Sequence, residues 1–142
     1  MKILVINGPN LNFLGCREPE VYGSKSLEEL NKELLTMGNK LNMEINFFQS
    51  NHEGKIIDKI HENYGKIDYL VINPGGLTHY SISLRDAILA TEIKTIEVHI
   101  SNVYSREEFR HKSVISDIAI GKISGFGIEG YKMAIYYLDS LK

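Results

Sequence analysis

The sequence predicts an α/β fold, a doubly wound, five-stranded parallel sheet with helices on both faces. Short β-rich apolar runs alternate with longer runs of helical periodicity along the 142 residues. Strands separated by helices run parallel, because a parallel crossover needs a connection of that length. No internal repeat, linker or low-complexity tract interrupts the alternation, so residues 1–142 are expected to form one domain.

The elements follow in order. Ile3 to Ile6 reads as strand one, followed by an irregular stretch to Lys25. Ser26 with Glu29 has capping-box spacing, and Leu27, Leu30, Leu34 and Leu41 then recur at helical intervals. Met43 to Phe48 is strand two. Asn51 is a candidate cap for a helix that buries Ile56, Ile57, Ile60 and Tyr64. Tyr69 to Ile72 is strand three, Ser81 to Ala90 a helix, Thr95 to Ile100 strand four and Ile118 to Ile123 strand five. Ile128 to Leu141 is the last helix.

Composition narrows the function. A net charge of -2 with scattered Lys and Arg argues against nucleic acid, whose binders need a basic face. No apolar run approaches the roughly 20 residues of a membrane span. The apolar run at the N-terminus is too short for a signal peptide. The lone Cys16 rules out an internal disulfide and suits a reducing cytosol, so a cytoplasmic protein is expected. The five histidines and the acids lack zinc-type spacing, so no metal is expected.

In doubly wound sheets ligands lie beyond the carboxyl ends of the strands, and three segments there carry candidate chemistry. The connection after strand one, residues 8–25, far exceeds the usual 2 to 6 residues, which marks either a lid or binding loop or a solvated surface loop. It holds Asn10, Asn12, Arg17 and Tyr22. After strand three comes NPGGLTH, where Gly75 and Gly76 let the backbone approach a ligand and Thr78 or Ser81 is a candidate helix cap. His79 there fits a structural role as well as a functional one. Glu97 and His99 end strand four, two apart and so on one face; they form either an ion pair or an acid with its orienting carboxylate. Arg106 and Arg110 share a face if their stretch is helical, as surface charges or anion binders.

Two motifs are set aside. Gly125 to Gly130 fits G-x-G-x-x-G, yet the 12 residues that follow hold no further strand or ribose-binding acid, so it reads as a tight strand-to-helix turn. Cys16 has only Arg17 nearby to lower a thiol pKa, which weakens a nucleophile reading.

Together the strings INGPNLNFLG, REPEVYG, QSNHEG, NPGGLTHYS, EVHISNVYSREEFRHKS and GFGIEGY resemble, in order and from end to end, the type II 3-dehydroquinate dehydratases. Cys16 and Leu77 stand where that family varies. The resemblance implies a flavodoxin-like fold, a homododecamer built from trimers, and anti elimination of water from 3-dehydroquinate through an enolate to give 3-dehydroshikimate. This step belongs to the shikimate pathway of aromatic amino acid biosynthesis, and the family performs it without cofactor or metal.

Carried onto this sequence, the resemblance makes Tyr22 the base at C2, kept ionised by Arg17, and His99 the acid for the departing C1 hydroxyl. Asn10 would hold the water beside the enolate oxygen, and Glu97 would orient His99. Asn73 with the backbone N–H groups of Ile100 and Ser101 would hold the substrate carboxylate. His79, Arg110 and, from a neighbouring subunit, Asp86 would bind ring hydroxyls, and Arg106 would support a closed lid. A phenol of pKa about 10 must fall to about 7 to act near neutrality, roughly 4 kcal/mol. One guanidinium at about 4 Å supplies that at an effective dielectric near 20. The rival readings are a flavodoxin-like binding or signalling module, disfavoured by the Asn-rich loop after strand one, and a cysteine-dependent hydrolase.

Overall fold

The computed structural model describes every residue except Arg17, and of Tyr22 the backbone alone. Five strands form one parallel sheet: β1 (Lys2–Asn7), β2 (Glu44–Gln49), β3 (Tyr69–Asn73), β4 (Lys94–His99) and β5 (Gly121–Ser124). Their order, β2-β1-β3-β4-β5, is that of flavodoxin-like sheets. A short turn of helix, α1 (Pro19–Tyr22), precedes α2 (Leu27–Lys40); then come α3 (Glu53–Glu62), α4 (Ile82–Thr91) and α5 (Glu129–Asp139).

The central strands are apolar on both sides because both faces are covered. Ile3 and Val5 of β1, with Val71, Ile96 and Val98, pack against Leu30 and Leu34 of α2 and Ala134 and Leu138 of α5. The alternate residues Leu4, Ile6, Leu70 and Ile72 pack against Ile56 and Ile60 of α3 and Leu84 and Ile88 of α4. Register sets Ile6 beside Ile72 and Ile72 beside Glu97, so a carboxylate completes an otherwise aliphatic row. That is the most informative irregularity of the sheet.

Several local expectations need correction. Asn51 does not cap α3. His52 precedes that helix, while the Asn51 side chain accepts from the Asn10 N–H at 2.9 Å and from Gln49 Nε2 at 3.2 Å, tying the loop after β1 to the end of β2. Tyr64 is exposed, because α3 ends at Glu62 and Asn63 folds back onto the Lys59 carbonyl. β5 begins at Gly121, not Ile118. Residues 115–119 form a turn in which Ile118 and Ala119 donate to the Ile115 carbonyl, and Ile118 packs sideways on the core. Of the two candidate caps before α4, Ser81 is the one that accepts from the Leu84 N–H. Residues 103–110 are not one helix but two 3-10 turns, Val103–Ser105 and Glu108–Arg110.

Candidate active site

The site is built where β1, β3 and β4 end. Asn7 and Asn73 are register partners at the last positions of β1 and β3, both buried. Gly8 must follow, since a Cβ there would lie 2.4 Å from the Pro74 carbonyl oxygen. Tyr131 of α5 reaches across the sheet: its hydroxyl donates to Asn7 Oδ1 at 2.6 Å and accepts from Asn73 Nδ2 at 2.9 Å. Burial pushes this phenol up, so Tyr131 is a neutral hydrogen-bonding group. Asn73 Oδ1 accepts from the Gly75 N–H at 3.1 Å, which fixes the amide and leaves its second N–H for the cleft.

At the end of β4, Glu97 is fully buried and His99 nearly so, and His99 Nε2 lies 2.6 Å from Glu97 Oε1. Burial alone would raise the Glu97 carboxyl. Hydrogen bonding and charge from His99, then the Ser116 and Thr78 hydroxyls, overcome that and hold it at about 2. An ionised carboxylate only accepts, so Nε2 carries a proton and Nδ1 is the ring nitrogen left for the cleft. Past the strand, the Ile100 carbonyl accepts from Gly127 N–H at 3.0 Å. The trans peptide therefore turns the Ser101 N–H the opposite way, and Ile100 and Ser101 both line the cleft. The G-x-G-x-x-G stretch thus serves as a turn that orients this peptide.

The cleft has a volume of about 330 Å³, suited to a small ligand. Asn10, Gly75, Gly76, His79, Arg106 and Arg110 form its rim. Asn10 sits at φ 70° as the loop turns away from the sheet. Gly75 also has positive φ, +59°, and a Cβ there would meet the Pro9 carbonyl oxygen at 3.1 Å. His79 Nδ1 is 2.7 Å from the Lys112 carbonyl, so Nδ1 carries the proton and Nε2 is free to face a ligand. Burial pulls the His79 pKa down. Arg106 donates to Ser101 Oγ at 3.3 Å, and Arg110 Nε pairs with Glu107 at 2.5 Å. With Glu97 saturated by donors, the described residues of the cleft present N–H donors and the guanidinium groups of Arg106 and Arg110, which suits an anionic ligand.

The family described as Dehydroquinase class II matches residues 1–139. The chain belongs to the class II dehydroquinase family. It is 59% identical over 134 residues to a 3-dehydroquinate dehydratase of Halothermothrix orenii, covering 94% of this chain and 90% of the relative. The type II dehydroquinase structure from Butyrivibrio crossotus superposes with a TM-score of 0.95 at 55% identity, covering 98% and 97% of the two chains. That from Propionibacterium acnes gives 0.94 at 40% identity, covering 98% and 96%. These relatives span nearly the same length as this dehydroquinase, which sets aside the signalling-module and cysteine-hydrolase readings.

Of the residues singled out in the sequence, Asn10, Asn73, Gly75, Gly76, His79, His99, Ile100, Ser101, Arg106 and Arg110 line one cleft, with Glu97 directly behind His99. Arg17 and the Tyr22 side chain lie outside the described residues. Asp86 is not in the cleft but exposed on α4, next to Arg85, which turns inward to Asp117. Sequence reasoning missed four contributors: Tyr131, Ser113, Ser116 and the role of Thr78, which donates to Glu97 rather than capping α4. Tyr131, Thr78 and Ser113 lay within GFGIEGY, NPGGLTHYS and EVHISNVYSREEFRHKS, strings already of interest, but nothing in them pointed to these roles; Ser116 lay in none of them. Among the described residues no group of three or more His, Cys, Asp or Glu side chains is placed to hold a metal ion, and no helix is long and apolar enough to cross a membrane.

Proposed function

We propose that this chain converts 3-dehydroquinate to 3-dehydroshikimate in the shikimate pathway, by anti elimination of water through an enolate. The observation that carries the reading is the buried Glu97–His99 pair at the end of β4, opening onto a cleft lined with anion-binding donors. His99 is the acid that protonates the departing C1 hydroxyl, and Glu97 orients it. Asn73 and the N–H groups of Ile100 and Ser101 take the substrate carboxylate, while His79 and Arg110 take ring hydroxyls. Asn10 holds the water beside the enolate oxygen, Tyr22 removes the C2 proton with Arg17 keeping it ionised, and Arg106 supports closure of a lid within residues 8–25.

The route uses hydrogen bonds to stabilise the enolate and calls on no metal or cofactor. Asp86, exposed on α4, completes the site of a neighbouring subunit in a trimer, four of which make a dodecamer. The protein works in the cytoplasm. Adding 3-dehydroquinate to purified protein with excess chelator should produce the ultraviolet absorbance of a conjugated enone. No absorbance, or absorbance only when metal is restored, would sink the reading. Tyr22→Phe and Asp86→Ala chains, inactive alone, should regain part of the activity when unfolded and refolded together; proven mixed trimers without activity would remove Asp86 from the site.

A further inference from the structure

Glu97 is caged by hydroxyl groups as well as paired to His99. Its Oε1 takes the Thr78 hydroxyl and His99 Nε2, and its Oε2 takes the Ser116 hydroxyl. Ser113 Oγ lies 3.0 Å from Oε1 and 3.2 Å from Oε2. The Ser113 oxygen already accepts from the Ile115 and Ser116 N–H groups, each at 3.0 Å, so its one proton is left for the carboxylate and the neighbouring Thr78 oxygen at 2.9 Å. The Val114 N–H donates to the Thr78 carbonyl at 2.8 Å, locking the serine turn against the turn that carries His79. A lone carboxylate in an aliphatic row needs a partner to remain charged, and His99 alone would provide one. Three hydroxyls are more than that requirement.

We propose that Thr78, Ser113 and Ser116 are positioning residues that set the strength of His99 as an acid by sharing the negative charge of Glu97. A carboxylate facing His99 alone would hold the Nε2 proton and the ring's positive charge too tightly, leaving a poor donor at Nδ1. Each hydroxyl that draws on the same oxygens weakens that hold, because hydrogen bonds to one anion compete for its charge. The effect is specific to Glu97. Among the described residues, the other charged or titratable groups around the pair are His79 on the turn before α4, Tyr80, Arg106 and Arg110 on the rim, and Asp117, itself paired with Arg85 of α4. The substitutions below replace none of these. The inference rests on reading His99 as the acid of the proposed reaction.

The test is Ser116→Ala, with Thr78→Val as an independent second variant and Ser116→Thr as the conservative control. The Nε2 proton of His99 is followed by low-temperature proton magnetic resonance, and kcat is followed against pH with 3-dehydroquinate. Removing a hydroxyl should shift the Nε2 proton resonance downfield and move the alkaline limb of kcat upward by roughly half a unit. Plateau turnover should fall severalfold, and Ser116→Thr should restore both signals. A resonance that stays in place or moves upfield in both folded variants overturns the proposal. A downfield shift in protein that does not dehydrate 3-dehydroquinate would uphold the charge-sharing and reject the assigned reaction instead.

Discussion

The two walls of the cleft are made differently. The strand-end wall, with Asn73, Glu97 and His99, is buried, and its polar atoms are tied to Tyr131, Thr78 and the serines of 113–116. The rim, with Asn10, His79, Arg106 and Arg110, is half-buried or exposed and stands on loops and 3-10 turns. His79 and Arg110 lean on a backbone carbonyl or a neighbouring acid. The fold therefore fixes the protonation and orientation of the first wall before any ligand arrives. The second wall presents donors whose partners are exchangeable. Substitutions in the wall should cost stability as well as function, whereas rim substitutions should cost function with little loss of stability.

The largest expected effect comes from the wall. His99→Ala should lower turnover by about 10²- to 10⁴-fold, the usual worth of a positioned acid. Proton exchange at C2 needs only the base, so the variant should still exchange that proton with solvent deuterium, read by mass spectrometry. Dehydration at the unsubstituted rate would make His99 structural and would dissolve the distinction between the walls.

Glu97→Gln is the next step down. The folded carboxyl sits at about 2 against an ordinary 4.5. A depressed carboxyl stabilises the fold above its unfolded value, and that contribution is lost as pH falls from about 4.5 through about 2. It amounts to roughly 3 kcal/mol. The amide cannot accept from all the surrounding donors, so the variant should melt about 10 °C lower at neutral pH. It should also lose less stability than the parent between pH 5 and 3. A thermal scan across that range reads both, and an unchanged acid slope would mean the cage does not hold a charged group.

Tyr131→Phe sharpens the wall from the other side. It deletes one hydroxyl that serves Asn7 and Asn73, leaving two buried polar atoms short of a partner. The loss should be about 2 kcal/mol. With the Asn73 amide less firmly held, KM should rise severalfold while kcat changes little. Equal losses in both would assign Asn73 to the transition state rather than to binding.

Much of the molecule was legible in the sequence, for physical reasons that also mark where legibility stops. Apolar runs and helical spacing announced the five strands and the doubly wound sheet, because both faces of each central strand must be covered. The pair at positions 97 and 99 was readable because strand alternation puts both residues on one face. The two 3-10 turns around Arg106 and Arg110 were not, since a turn held by i to i+3 bonds leaves no longer periodicity to detect. The roles of Ser113 and Ser116 were silent for a related reason. Their function depends on a tertiary meeting with Glu97, 16 and 19 residues away in sequence, and nothing local distinguishes them from solvated serines. Tyr64 misled because it continues the α3 pattern past the residue where the helix ends.

The smallest expected effect lies outside both walls and checks that stability and chemistry separate. Ser26 caps α2: its hydroxyl accepts from the Glu29 N–H at 3.1 Å, and Glu29 accepts from the Ser26 N–H at 2.7 Å. Ser26→Ala removes one half of this reciprocal cap and should cost about 1 kcal/mol, or a fall in Tm of roughly 3 °C. α2 packs through Leu30 and Leu34 on the face of the sheet opposite to Glu97 and contributes no residue to the cleft. It does, however, follow the long loop directly and touches the 3-10 turn Leu11–Phe13 beside Asn10. Unchanged kcat and KM alongside the lower Tm would show that the cap stabilises the fold without shaping the rim. A matching fall in turnover would mean that the start of α2 holds the loop in its working position. In that case the loop would be fixed by the fold, like the strand-end wall, and the contrast between the two sides would narrow to the arginine turns and His79.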